Sequence, residues 1–150
     1  MSHRKVIVVG VDGSAASKSA LRWAIAQGDN TVEAVVAAVR EPAFVPATSL
    51  GVYPYAYKPE AERRRPADRQ LHDVVTEVTA GVPGAPEVAE IVVASDPTVA
   101  LVQASRRADL LVLGAKGHNR IADVFPGSVT AHCVRHAACP VVVIPPAAVD

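Results

Sequence analysis

Five short apolar runs alternate along the chain with stretches of helical periodicity. The runs are Lys5–Val11 (KVIVVGV), Glu33–Val39 (EAVVAAV), Glu87–Val93 (EVAEIVV), Asp109–Leu113 (DLLVL) and Pro140–Ile144 (PVVVI). Continuous Val-rich runs of this length predict strands buried on both faces, the mark of a parallel sheet. Between them, apolar positions recur at three and four residues. Ala20, Leu21, Ala24 and Ile25 share one helical face, and Leu71, Val74, Val75 and Val78 form a stripe within 59–79. Val99, Leu101, Val102 and Ser105 partly fill the inward side of a third helix, and Ser128 to Ala138 makes a fourth. Strands alternating with helices predict an open α/β sheet of five parallel strands, with helices on both faces and right-handed crossovers. Residues 1–150 are expected to form one domain.

Polar punctuation supports these boundaries. Asp12-Gly13-Ser14 follows the first run, and Ser14 or Ser17 is placed to cap the helix after it. Gly28-Asp29-Asn30 stops that helix, and Pro66 is expected to begin or kink the second, which Gly81-Val82-Pro83-Gly84 ends. Asp96 and Pro97 read as the cap and first position of the third helix. The stretch from Glu41 to Lys58 departs from the alternation. It carries three prolines and Tyr53, Tyr55 and Tyr57 at alternate positions, tyrosines that either cover a ligand or partner or pack on the domain's own surface.

The 150 residues suffice for a core, with 50% hydrophobic and 4% aromatic content. Fifteen basic residues balance fifteen acidic ones, which argues against a broad nucleic-acid surface; the run Arg63-Arg64-Arg65 is local. Two cysteines, Cys133 and Cys139, make neither a zinc framework nor a disulfide scaffold, and they read as packed small hydrophobes. The basic start is followed by an apolar run too short for a secretory signal, and no run approaches a membrane span of ~18 residues. The expectation is a soluble, cytoplasmic protein with no membrane partner.

Candidate chemistry concentrates in Leu110 to Thr130, LLVLGAKGHNRIADVFPGSVT. Gly114, Gly117 and Gly127-Ser128 mark a loop between a buried strand and a helix start. The unpaired N–H groups of that helix end face back toward the loop and suit an anion such as a nucleotide phosphate. Lys116 and Arg120 add positive charge. A Gly-rich turn that binds nothing is the other reading of the same spacing. The gap before Gly127 and the Val129 that follows Ser128 exclude a Walker A loop. GVDGSAAS after the first strand lacks a dinucleotide fingerprint, and Asp12 has no acidic neighbour of the kind a phosphoacceptor site uses. Asp12 is left to hydrogen-bond a ribose or adenine, to help hold a metal, or only to cap a helix. His132 and His136, four apart with Cys133 between, have metal-binding spacing but no evident third ligand. No Ser/His/Asp or Cys/His catalytic set stands out, so no catalytic residue is assigned.

Two stretches, VIVVGVDGSAASKSALRWA and LVLGAKGHNRIADVFPGSVTAHCVRHAACPVVVI, resemble the universal stress protein family, and the likeness runs from Lys5 to Ile144. The pattern Gly-x2-Gly-x9-Gly-Ser is that family's motif for its ATP-binding branch and is complete at Gly114, Gly117, Gly127 and Ser128. The resemblance implies strand order 3-2-1-4-5, an arrangement like that of the adenine-nucleotide alpha-hydrolases, with ATP, with or without Mg2+, in a crevice between strands one and four. By position it implies Asp12 and Val39 at the adenosine end, Leu113 and Gly114 along the ribose, and Lys116, Gly117, Gly127, Ser128 and Val129 around the phosphates. It also implies a homodimer through the last strand. Ser95 replaces a glycine usual in the family. The function implied is an ATP-binding regulatory or signalling module of the stress response. A slow ATPase or phosphotransferase at the same site, and a nucleotide-free dimeric interaction protein, are the alternatives.

Overall fold

A computed structural model describes residues 4–28, 30–37, 60–115 and 126–145, with the backbone alone for 37, 60–66 and 126–128. The strands are β1 (Val6–Gly10), β2 (Thr31–Ala37), β3 (Val88–Val93), β4 (Leu110–Gly114) and β5 (Val141–Ile144). The helices are α1 (Ala15–Ile25), α2 (Glu60–Ala80), α3 (Pro97–Ser105) and α4 (Pro126–His136). All pairings are parallel and the strand order is β3-β2-β1-β4-β5. β1 and β4 are neighbours in register Ile7 to Leu110, Val8 to Leu111 and Val9 to Val112.

Strand side chains alternate between two faces, and each face has its own core. Ile7, Val9, Val32, Ala34, Val36 and Val112 pack with Ala20, Leu21, Ala24 and Ile25 of α1 and Leu71, Val74, Val75 and Val78 of α2. Val8, Val35, Leu111 and Leu113 pack on the other face with Leu101 and Ala104 of α3 and Cys133 of α4. Nine of their valine and leucine side chains, Val8, Val9, Leu21, Val32, Val35, Leu71, Val78, Leu111 and Val112, are 2% exposed or less. Each such side chain contributes about 1.5–3 kcal/mol through burial, so the Val-rich runs carry the sheet. Cys133 is fully buried, Cys139 packs against the same cluster, and both are free thiols.

α2 runs from Glu60 through Pro66 to Ala80, within one residue of the 59–79 pattern at each end, so Pro66 does not begin it. Two expectations are corrected. Val99 is 46% exposed. The inward face of α3 is Ala100, Leu101, Ala104 and Ser105, which turns Val99 toward solvent. α4 spans Pro126 to His136, two residues earlier at each end than the periodicity suggested, with Pro126 at the first helical position that proline favours. The tyrosines of the 41–58 stretch lie outside the described residues.

The amino-terminal edge of the sheet is pinned by short-range polar ties. Asp109 N–H donates to the Val6 carbonyl and Val6 N–H to Asp109 Oδ2, both at 2.8 Å. Arg107 donates to Glu33 Oε1 from two nitrogens, at 2.9 and 3.2 Å. The first pair fixes the β1–β4 register at the end away from the candidate site, and the second joins the turn before β4 to β2. Among the described residues no helix is long and apolar enough to cross a membrane.

Candidate functional site

A cleft of about 340 Å³ opens beyond the carboxyl ends of β1, β2 and β4. Its floor is Gly10, Val11, Val35, Val36, Leu113 and Gly114. Pro97 and Leu101 of α3 and Val129 and Thr130 of α4 form one wall; the β1–α1 turn and Gln70 of α2 form the other. In open α/β sheets this is where ligands sit, at the point where winding reverses direction. The volume falls within the roughly 300–1,000 Å³ range of small-molecule pockets.

The β1–α1 turn is built by three residues whose side chains bond one another's backbone. Ser14 is the N-cap of α1, and its Oγ accepts the Ser17 N–H at 3.2 Å. Ser17, buried, returns the bond by donating its hydroxyl to the Ser14 carbonyl at 3.0 Å. It also accepts the Asp12 N–H at 3.3 Å. Asp12 Oδ1 accepts the Ser14 N–H at 2.9 Å, an Asx turn two residues before the cap. Asp12 is therefore not the cap. It braces the turn and keeps an exposed carboxylate at the cleft.

Gly13 makes the turn possible. Its φ is +85°, a region that side-chain-bearing residues rarely enter. A Cβ there would also run into the Gln70 carboxamide, lying 3.3 Å from Gln70 Cδ and nearer still to Nε2. Gln70 thus reaches across from α2 to fill the space that Gly13 leaves.

Of the residues expected at the site, Asp12, Leu113, Gly114 and Val129 line this one cleft. Gly127 and Ser128 fall in the first turn of α4, whose Val129 and Thr130 border it. Val39, Lys116 and Gly117 lie outside the described residues. The sequence reading missed Gln70, Thr130, Pro97 and Leu101 as cleft residues. The last two carried a signal: the Asp96-Pro97 helix start after β3 has to point a helix end at the same edge of the sheet as Asp12. Asp96 does cap that helix, accepting the Thr98 N–H at 3.3 Å.

His132 and His136 stack on the outer side of α4 with ring centroids 4.4 Å apart. Both are exposed, and among the described residues no group of three or more His, Cys, Asp or Glu side chains is placed to hold a metal.

The apolar floor, the braced Asp12 turn and the approach of an α4 helix end can accept a flat, partly polar ligand with an anionic end. Comparison with known proteins agrees with the architecture. A model of the universal stress protein family matches residues 3–145. A universal stress protein of Mycobacterium tuberculosis is 34% identical over 154 aligned positions, covering 93% of this chain and 47% of that protein. The chain spans about half the length of the curated relatives it matches first. Among solved structures, a universal stress protein in complex with cAMP superposes with a TM-score of 0.65 at 28% identity, covering 95% of this chain and 98% of that one. The universal stress protein UspA of Lactobacillus plantarum gives a TM-score of 0.65 at 29% identity, covering 95% and 99%. With its β3-β2-β1-β4-β5 sheet and a match from residue 3 to 145, the chain belongs to the universal stress protein family.

Proposed function

We propose that this chain binds an adenine nucleotide, ATP in the first instance, in the cleft beyond β1 and β4, and acts as a nucleotide-dependent regulatory module. The observation that carries the reading is the adjacency of β1 and β4. It brings the Asp12 turn, Leu113-Gly114 and the first residues of α4 to one cavity, although Asp12 and Val129 are far apart in sequence. A family member of the same fold bound to cAMP supports an adenine nucleotide as the ligand class.

The base and ribose lie on the apolar floor with Asp12 at the ribose. The phosphates lie toward Lys116, Gly117, Gly127 and Ser128. One helix-end contact contributes about 0.3–1 kcal/mol, whereas micromolar affinity requires about 8 kcal/mol. The apolar floor, the amides and the cation must therefore act together. ATP changes a partner surface only to the extent that it favours one conformation of its loop over another. The partner surface in this reading is a homodimer through β5, an edge strand whose Val143 is 37% exposed.

The test is direct. Protein purified without added nucleotide is denatured and its supernatant resolved by ion exchange, and ATP is then titrated by calorimetry. Gly117→Val and Asp12→Ala are expected to weaken binding while leaving the circular dichroism spectrum unchanged. Unaltered ATP affinity in both variants would remove the assignment of the site.

A further inference from the structure

Four polar side chains face the cleft from the side of α1 and α2: Asp12, Ser14, Ser17 and Gln70. Ser14 and Ser17 hold each other and the Asp12 backbone, so their hydroxyls are committed to the turn. Asp12 braces Ser14 and carries a negative charge. Gln70 differs from all three. Its carboxamide is exposed, forms no hydrogen bond among the described residues, and lies over the Cβ-less Gly13. It offers one acceptor and two donors in a plane.

Its position in the fold indicates what it meets. α2 covers the β2 and β3 side of the sheet with α1, whereas α4 packs with α3 on the opposite face and runs into β5. The α4 end, which favours anions, and Gln70 therefore stand on opposite walls of the cleft. A nucleotide with its phosphates toward α4 directs its base toward the floor at Val35 and Val36 and the wall at Gln70.

We infer that Gln70 is a specificity-determining residue for the base, its carboxamide accepting from the 6-amino group of adenine and donating to the adjacent ring nitrogen. A coplanar donor–acceptor pair is the complement of that edge, as in the paired amide–adenine contacts of nucleic-acid recognition. The inference rests on the nucleotide reading above and adds the group that would distinguish an aminopurine from a purine without the amino group. Gly13 then has a second role, since its missing Cβ sets where the amide lies.

The experiment is a double-mutant cycle between protein and ligand. ATP and purine riboside 5′-triphosphate, which has hydrogen in place of the 6-amino group, are titrated by calorimetry against wild-type protein and Gln70→Leu. Wild type is expected to favour ATP by about tenfold, the worth of one net hydrogen bond of about 1–1.5 kcal/mol. Gln70→Leu is expected to bind both ligands within about twofold of each other, with the purine riboside affinity retained. Its thermal midpoint in the absence of ligand confirms folding, and Gln70→Asn, which shortens the same amide, serves as a second variant with reduced preference. A preference for ATP that survives in Gln70→Leu, or no preference in wild type, overturns the role of Gln70 and leaves nucleotide binding intact. No binding of ATP by wild type overturns both.

Discussion

Gly114, the last residue of β4, lies directly against the backbone of Ala16 in the first turn of α1. A Cβ on Gly114 would stand 2.9 Å from Ala16 Cβ, 2.5 Å from its carbonyl carbon, and nearer still to its oxygen. No side chain can rotate to relieve that contact. Gly114 is thus required by the fit of β4 on α1 before any ligand arrives. Gly114→Ala should destabilise the ligand-free protein by about 1–3 kcal/mol, the range of overpacking substitutions. The thermal midpoint would fall by roughly 2–4 °C for each kcal/mol in a chain of this size. An unchanged midpoint with weakened nucleotide binding would instead make the glycine a ligand-only feature.

Gly13 and Gly28 separate strain from contact. Both have positive φ, +85° and +109°, but a Cβ on Gly28 meets nothing within 4 Å. Gly28→Ala should cost about 1 kcal/mol, the penalty of the conformation alone. Gly13→Ala should cost more, because it also presses on Gln70. The excess should shrink when Gln70 is changed to Ala in the same chain. Chemical denaturation of the four variants checks this; equal costs at Gly13 and Gly28 would show that Gln70 yields freely.

Much of this was legible in the sequence because it is local. The continuous apolar runs identified all five strands, and Ser14, Asp96 and Pro97 announced helix starts that the structure contains. The neighbouring of strands one and four came from the family resemblance, since apolar runs carry no information on strand order. Gln70 was not legible at all. An exposed glutamine beside the buried stripe of an amphipathic helix looks like any solvated position, and only the packing of α2 on α1 brings it to Gly13. The contact of Gly114 with Ala16 was not legible either, because contacts between backbones leave no trace in a residue pattern.

Ser105 ties α3 to the junction before β5. It is buried, donates its hydroxyl to the Val102 carbonyl at 2.6 Å, and accepts the Ala138 N–H at 2.8 Å. Ser105→Ala removes both hydrogen bonds of a buried hydroxyl, the one to the Val102 carbonyl and the one from the Ala138 N–H. The expected loss is about 1–3 kcal/mol, read as a lower urea midpoint with an unchanged slope. A change below about 0.5 kcal/mol, typical of surface positions, would contradict this.

The two thiols give a pH signature. Burial raises the Cys133 thiol above its ordinary value of 9.0, and burial with the Asp109 carboxylate raises Cys139. In the unfolded chain both lose their protons near the ordinary value, while the folded chain retains them. Stability is therefore complete below about pH 9 and declines as pH rises from there through the folded-state values. Denaturant midpoints measured on both sides of that point should show the fall, and Cys133→Ala should flatten it. Alkylation of native protein at neutral pH should be slow at Cys133, since burial limits access and little thiolate forms.

The most direct test of the central claim is a backbone amide NMR titration of the labelled chain with ATP. The account predicts saturable shifts at Asp12, Gly13 and Ser14, at Leu113 and Gly114, and at Val129 and Thr130, with the amino-terminal edge around Val6 and Asp109 unmoved. Saturable shifts confined to other surfaces, or none at millimolar ATP, would contradict a nucleotide site beyond β1 and β4.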